Sequence, residues 1–384
     1  MLPFIISTYL LFLLTFFFFP PLTTSAPSSS SSSLSSSSER ATTKTKTKTK
    51  TKTTTITKAS AKTPLLPFNF PDPCIIQDPS TGLWYAFATG SLAPNSSSTF
   101  KNIQAAQAPS PLGPWTYLAA ADPLPHPGPW TSGPGSQTWA PSVQHLPQAD
   151  PPTFVLYYSG QLAGADAAFH CIGAATSTTG SVLGPYAPLP APLACPLARG
   201  GAIDPAGFVD PPSGRRYLLY KVDGNALGGG GECNNGVEPR RQTPIVLQEV
   251  DTAGGIALVG DPVVVLDRAE EDGALVEAPE LVYVPAAEGE GGGKGTYVLF
   301  YSNHCWDGPE YSVNYAVAKE INGPYRRSED GPLIRTGDGF NITAPGGAGV
   351  VPGGEWVLFH GDCPAGRCLF GADMVVEGEE VIVS

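Results

Sequence analysis

Short apolar runs of four to six residues recur along the chain, rich in aromatic and β-branched side chains. The clearest are Trp84–Ala88, Phe154–Tyr158, Arg216–Tyr220, Thr296–Tyr301 and Glu355–Phe359. A Gly-, Pro- or Asp-containing turn precedes each, such as Asp78-Pro79-Ser80-Thr81-Gly82 or Asp210-Pro211-Pro212-Ser213-Gly214. Third runs follow, as in Ile172–Thr176 and Asn314–Ala318, and then a Gly-Pro-aromatic turn at Gly113-Pro114-Trp115, Gly184-Pro185-Tyr186 and Gly323-Pro324-Tyr325. The unit strand–turn–strand–strand–turn–strand predicts one four-stranded sheet per repeat. No amphipathic helical pattern stands out between residues 63 and 384.

Each unit opens on an acidic or small residue followed by proline. The copies are Pro71-Asp72-Pro73-Cys74, Trp139-Ala140-Pro141-Ser142, Ile203-Asp204-Pro205-Ala206, Glu277-Ala278-Pro279-Glu280 and Thr343-Ala344-Pro345-Gly346. The prolines at 73, 141, 205, 279 and 345 are separated by 68, 64, 74 and 66 residues. A near-constant step means one structural unit reused. Five four-stranded sheets around an axis make an all-β, five-bladed β-propeller with a central channel. A β-sandwich would not require the even spacing, and a β-helix needs much shorter repeats.

The repeat starts are the natural innermost strands, so their equivalent residues meet near the axis. Asp72, Asp204 and Glu277 then face one pocket from three blades, with Glu277 two residues before its proline and the two Asp one before. Ala140 and Ala344 at the same place in blades two and five leave room for a ligand. Three facing carboxylates repel one another, so at least one pKa should rise. Glycoside hydrolysis uses that arrangement: one acid protonates the leaving oxygen, one carboxylate activates water, and a third tunes the donor. Asp-Pro is also a common turn dipeptide, and Asp78, Asp210 and Asp223 read as turn residues. A competing reading puts a hydrated calcium ion among the carboxylates and His360. No zinc pattern, phosphate loop or serine elbow occurs.

Composition divides the 384-residue chain. Residues 1–26 are apolar and end in small residues, as a cleaved signal peptide does. Residues 27–62 are Ser/Thr-rich, with alternating Lys-Thr from Lys44 to Lys52, and read as a disordered linker. Residues 63–384 form the propeller domain. Residues 1–62 hold eight of the 22 Lys+Arg and one of the 34 Asp+Glu, leaving 14 basic and 33 acidic residues in the domain, a net of about −19. Such a domain is a poor partner for nucleic acid or anionic membranes and suits a neutral substrate. Seven cysteines fit secretion, and the odd number leaves one over. Cys363 with Cys368, and Cys171 with Cys195, are the nearest pairs. Asn95-Ser96-Ser97 and Asn341-Ile342-Thr343 are N-glycosylation sequons.

In order and spacing, Pro71-Asp72-Pro73, Trp139-Ala140-Pro141, Ile203-Asp204-Pro205…Phe208 and Glu277-Ala278-Pro279 resemble glycoside hydrolase family 43 over about residues 66–384. The resemblance implies a secreted, inverting, monomeric glycosidase acting on arabinan, arabinoxylan or related plant cell-wall polysaccharides, with no required cofactor. It assigns Asp72 as general base, Asp204 as modulator of the acid's pKa and Glu277 as general acid. Trp139 becomes a wall of the sugar pocket, and His360 the channel histidine that orients water or an ion. Ser142 departs from the Asp common in that family after Trp-Ala-Pro. The loops Asn225–Arg241 and Asn303–Trp306 are expected at the mouth, with Trp306 as a subsite aromatic. The leading expectation is release of L-arabinofuranose; endo-arabinanase, β-xylosidase and a non-catalytic carbohydrate-binding propeller are the alternatives.

Overall fold

The repeat becomes a ring of five sheets. The computed structural model describes residues 63–133, 135, 137–286 and 294–384. The expected signal peptide and linker lie outside the described residues. Blade one contains β1 (Cys74–Gln77), β2 (Trp84–Leu92), β3 (Phe100–Ala108) and β4 (Thr116–Tyr117). Blade two contains β5 (Thr138–Leu146), β6 (Thr153–Gln161), β7 (His170–Ser177) and β8 (Tyr186–Pro188). Blade three contains β9 (Ala202–Val209), β10 (Arg216–Val222), β11 (Ile245–Val250) and β12 (Leu258–Leu266). Blade four contains β13 (Val276–Val284), β14 (Thr296–Asn303), β15 (Ser312–Ala318) and β16 (Arg326–Arg327). Blade five contains β17 (Gly346–Val350), β18 (Trp356–Cys363), β19 (Gly366–Glu377) and β20 (Glu380–Val383). Within every blade the strands pair antiparallel in chain order, from the hub outward, giving a five-bladed β-propeller.

Apolar residues on both faces of the blades meet across the gaps between them. Phe87, Leu124, Leu156 and Tyr158 fill the gap between blades one and two. Tyr157, Ile172, Leu218 and Tyr220 fill the next, and Leu219, Leu247, Leu281 and Leu299 the third. Phe300, Phe340, Phe359 and Phe370 occupy the fourth. The last gap is the seam, where the ring must close. There Leu66 and Phe70, from the segment entering β1, pack with Ala86, Ala88, Leu358 and Leu369. The same segment hydrogen-bonds along β19, with the Leu65 N–H on the Leu369 carbonyl at 2.7 Å and the Phe70 N–H on the Arg367 carbonyl at 2.7 Å. The N-terminal segment thus closes the ring on the last blade.

The Gly-Pro-aromatic turns stand at the entry to the short outer strands β4, β8 and β16. Their aromatics share one bond: Trp115 to the Pro111 carbonyl, Tyr186 to Val182 and Tyr325 to Ile321, each four residues back. Blade three lacks the turn and instead ends on the longer β12. Disulfides join Cys171 to Cys195 and Cys363 to Cys368, as their proximity suggested, and Cys233 to Cys305. Cys74 is unpaired and buried, and burial pushes its thiol up to about 12.

The inner strands share one irregularity. Asp72, Ala140, Asp204 and Ala278, each just before its proline, have left-handed backbones with φ of 54°, 42°, 56° and 50°. Strand register slips opposite these residues, as between Trp139 and Ser142 and between Glu277 and Glu280. Blade five departs from the proline pattern. Its register slip falls between Gly346 and Gly349, and Gly347, φ 60°, lines the channel where the other four residues do. Ala344, before Pro345, is also left-handed, but its N–H is satisfied locally by the Thr336 hydroxyl. Pro345 therefore marks the turn into the strand, and the hub position, Gly347, lies two residues after it. Glycine suits that position, because a Cβ on left-handed Gly347 would sit 2.8 Å from His360 Nδ1, and one on its neighbour Gly346 1.9 Å from the Tyr311 ring.

Closing the ring through residues 65–70 makes Phe70, fully buried, a seam residue. Phe70→Ala is expected to destabilise the domain by about 3–5 kcal/mol in denaturant unfolding. A loss below about 1 kcal/mol, the size of an ordinary surface change, would place the seam's strength elsewhere.

Candidate active site

The left-handed residues form a hydrogen-bonded ring around the axis. The Ala140 N–H donates to Thr89 Oγ1 at 2.9 Å, and the Asp204 N–H to Ser159 Oγ at 2.9 Å. The Ala278 N–H donates to Asp204 Oδ2 at 2.9 Å, and the Gly347 N–H to Ser302 Oγ at 3.0 Å. The Asp72 N–H closes the ring on His360 Nδ1 at 3.1 Å. Each acceptor belongs to the preceding blade, so every hub backbone is placed by its neighbour. The channel inside this ring, about 30 Å³, has room for a water or two and none for a sugar.

Above it opens a cleft of about 530 Å³, which Asp72, Asp204, Glu277, Trp139 and Trp306 all line. Glu277 and Trp139 do not share the address of the two Asp. Each stands one residue earlier, beside left-handed Ala278 and Ala140. Three hub positions, Ala140, Ala278 and Gly347, thus carry little or no side chain, where the proline pattern implied two. Of the six candidate residues His360 is the exception. It is fully buried behind Asp72, off the cleft surface, and stacks on Tyr311 with ring centroids 5.8 Å apart. Because Nδ1 accepts the Asp72 N–H, the ring hydrogen sits on Nε2, which is buried without a partner. Burial and the Arg367 charge push His360 down to about 3, so it stays neutral.

The three acids have different surroundings. Asp72 accepts from the Thr89 hydroxyl at 2.6 Å and pairs with Arg367 Nη1 at 3.2 Å. Burial works against its charge, but the Arg367 guanidinium and the Thr89 hydroxyl outweigh it and hold Asp72 below the ordinary carboxylate pKa. Asp204 has the opposite balance. Burial and the Glu277 charge raise it well above the ordinary value, against the pull of Lys221. Glu277 is bound at both oxygens: Lys221 Nζ is 3.0 Å from Oε2, and the Tyr311 hydroxyl donates to Oε1 at 2.9 Å. Lys221 has no exposed side-chain surface and also lies 3.0 Å from Asp223 Oδ1, an ion pair without hydrogen-bond alignment. Burial would push the ammonium down, but Asp223, Glu277 and Asp204 raise it. Asp223, which reads as a turn residue in sequence, is therefore part of the cleft's charge network.

Trp139 turns one face to His170, with ring centroids 3.7 Å apart. Trp306 is half-exposed at the mouth, with the Arg367 guanidinium 4.9 Å from its ring centre. The expected mouth loops are there: Asn225, Ala226, Cys233 and Asn234 line the cleft, and the Cys233–Cys305 disulfide ties their loop to the one bearing Trp306. Ser142, the departure after Trp-Ala-Pro, accepts the Gly207 N–H at 3.0 Å and links blades two and three.

A calcium ion takes six to eight oxygen ligands. Among the described residues the only three metal-binding groups within reach of one another are Cys233, Cys305 and Asp307, and the two cysteines are disulfide-bonded.

Lys221, Tyr311, Arg367 and Thr89 were not singled out by sequence. Lys221 alone left a signal: a lysine inside the apolar run 217–222.

The family model described as Glycosyl hydrolases family 43 matches residues 61–380. No curated protein matches the chain. Among solved structures, a thermostable family-43 glycoside hydrolase aligns with a TM-score of 0.59 at 22% identity, over 82% of this chain and 92% of the other. An endo-1,4-beta-xylanase from Bacteroides thetaiotaomicron aligns at 0.58 and 20% identity, over 83% and 94%. An exo-1,5-alpha-L-arabinanase from a bovine ruminal metagenomic library aligns at 0.57 and 19% identity, over 84% and 98%.

The raised Asp204 pKa has a consequence for stability. The unfolded carboxyl ionises near pH 3.9, while the folded one keeps its proton to higher pH. The folded state binds the extra proton between those values, so stability falls as pH rises through them. Asp204→Asn is expected to lose less stability than wild type from about pH 4 to about pH 7 in thermal melts. Parallel curves for the two proteins would show Asp204 ionised in the folded state.

Proposed function

The chain belongs to glycosyl hydrolases family 43, and we propose that it is an inverting glycosidase that releases L-arabinofuranose from arabinan or arabinoxylan. One observation carries the mechanism: Asp72 is held bare while Asp204, beside Glu277, is pushed toward its protonated form, and all three line one cleft. The base of the pair must be free of its proton. In this reading Glu277 gives its proton to the glycosidic oxygen as the bond to the anomeric carbon breaks. Water adds to that carbon from the opposite face, and its proton passes to Asp72. Exchange with solvent then restores both groups. Asp204 supports Glu277 through its charge and fixes the Ala278 backbone beside it.

The cleft's surroundings favour a neutral sugar. Its carboxylates outnumber its cations, and Trp139 and Trp306 supply aromatic faces for sugar C–H surfaces. All of these residues come from one chain, which suits a monomer. Three disulfides suit secretion. Endo-arabinanase and β-xylosidase action remain the near alternatives, since both xylan- and arabinan-named enzymes share the fold.

Glu277→Gln and Asp72→Asn are each expected to lower kcat on arabinan by about 10²–10⁴-fold. Near-wild-type turnover in either variant removes that residue from the chemistry. The first product should have inverted anomeric configuration by NMR; retention rules out the water mechanism. Product sizing on linear arabinan separates monomer release from internal cleavage. Sugar binding without turnover on a broad polysaccharide panel would leave a carbohydrate-binding propeller instead.

A further inference from the structure

Five second-strand residues face the hub at equivalent places: Thr89, Ser159, Lys221, Ser302 and His360. Register shows it, with Trp139 opposite Ser159, Ile203 opposite Lys221, Glu277 opposite Ser302 and Gly346 opposite His360. Thr89 stands likewise, its N–H on the Pro71 carbonyl. Four of the five accept the N–H of the next blade's left-handed residue. Lys221 does not, because an ammonium has no acceptor. The orphaned Ala278 N–H goes to Asp204 Oδ2 instead. At one address, then, the ring's own hydrogen-bond partner has been exchanged for a buried cation.

A fully buried ammonium persists only where it is paired. Lys221 lies 3.0 Å from Glu277 Oε2 and 3.0 Å from Asp223 Oδ1. Asp223 holds the ammonium from behind, and the ammonium holds one oxygen of Glu277, while Tyr311 holds the other. We propose that Lys221, anchored by Asp223, is a positioning residue for proton donation. It fixes the Glu277 carboxyl in place and stabilises the carboxylate left when the proton departs to the leaving group. The proposal rests on the reading of Glu277 as general acid.

The two roles open to Lys221 differ in how the leaving group responds. A merely structural lysine serves every substrate equally. A lysine that assists proton donation matters only where the leaving oxygen needs a proton. An unsubstituted arabino-oligosaccharide leaves as an alkoxide and needs one; a 2,4-dinitrophenolate does not. The experiment compares Lys221→Met, Asp223→Asn, Lys221→Arg and Glu277→Gln on the dinitrophenyl glycoside and on the matching oligosaccharide.

Lys221→Met is expected to lose about 100-fold or more in kcat/KM on the oligosaccharide and less than about threefold on the dinitrophenyl glycoside. Asp223→Asn, which keeps the cation, should lose about tenfold on the oligosaccharide alone. Lys221→Arg should restore most of the oligosaccharide activity. Equal losses on both substrates in Lys221→Met overturn the proposal. Should that variant not fold, equal losses in Asp223→Asn overturn it. Glu277→Gln separates the premises. If Glu277→Gln spares the dinitrophenyl glycoside and the lysine variants do not, only the role of Lys221 falls. If Glu277→Gln itself affects both substrates equally, the general-acid assignment falls first.

Discussion

The molecule depends on one repeated constraint, a left-handed residue at the inner strand of each blade whose N–H is accepted by the blade before it. For a residue other than glycine that conformation costs about 1–3 kcal/mol, and it persists only where the surroundings determine it fully. Here four of the five hub residues are not glycine. Each is fixed on one side by its own strand and on the other by a hydroxyl, carboxylate or imidazole from the neighbouring blade. Two of them are Asp72 and Asp204. Their carboxyl groups therefore hang directly from the ring that sets blade spacing, so a shift between blades is a shift of the cleft's acids. For Asp72 the link is closer still. Its N–H and its carboxylate both bind blade five, at His360 and Arg367, so the proposed base sits on the seam that closes the ring.

Chemically identical Asp72 and Asp204 are driven apart by their partners. Both are removed from water, which raises a carboxyl pKa. Arg367 stands beside Asp72 and reverses the effect. Asp204 has no cation of its own. Lys221 is shared with Asp223 and Glu277, and the charge of Glu277 adds to the penalty of burial. Two cations among four carboxylates thus distribute protons unevenly across one cleft. Evenly paired acids would all titrate alike.

The fold was legible because it is periodic. Aromatic strands and turn residues recur once per blade, and Gly-Pro-aromatic corners recur in three of the five. Asp72, Asp204 and Glu277 were legible for the same reason, since their place in the repeat puts them at the hub. What escaped was whatever broke the period or needed the ring to close. Pro345 imitates the hub prolines, but blade five bulges after it, at Gly347. Arg367 reaches Asp72 across 295 residues of chain, and Tyr311 reaches Glu277 from the loop that enters β15. Asp223 looked like a turn because it does end a strand; only the buried ammonium two residues earlier reveals its second task.

The wall that would select a sugar and the group that would activate water are not independent parts. Trp306 lies over the Arg367 guanidinium, and the same guanidinium pairs with Asp72. Trp306 follows Cys305, whose disulfide to Cys233 ties together the two loops that form that wall. An aromatic face desolvates the cation beneath it, and a less hydrated guanidinium interacts more strongly with its carboxylate.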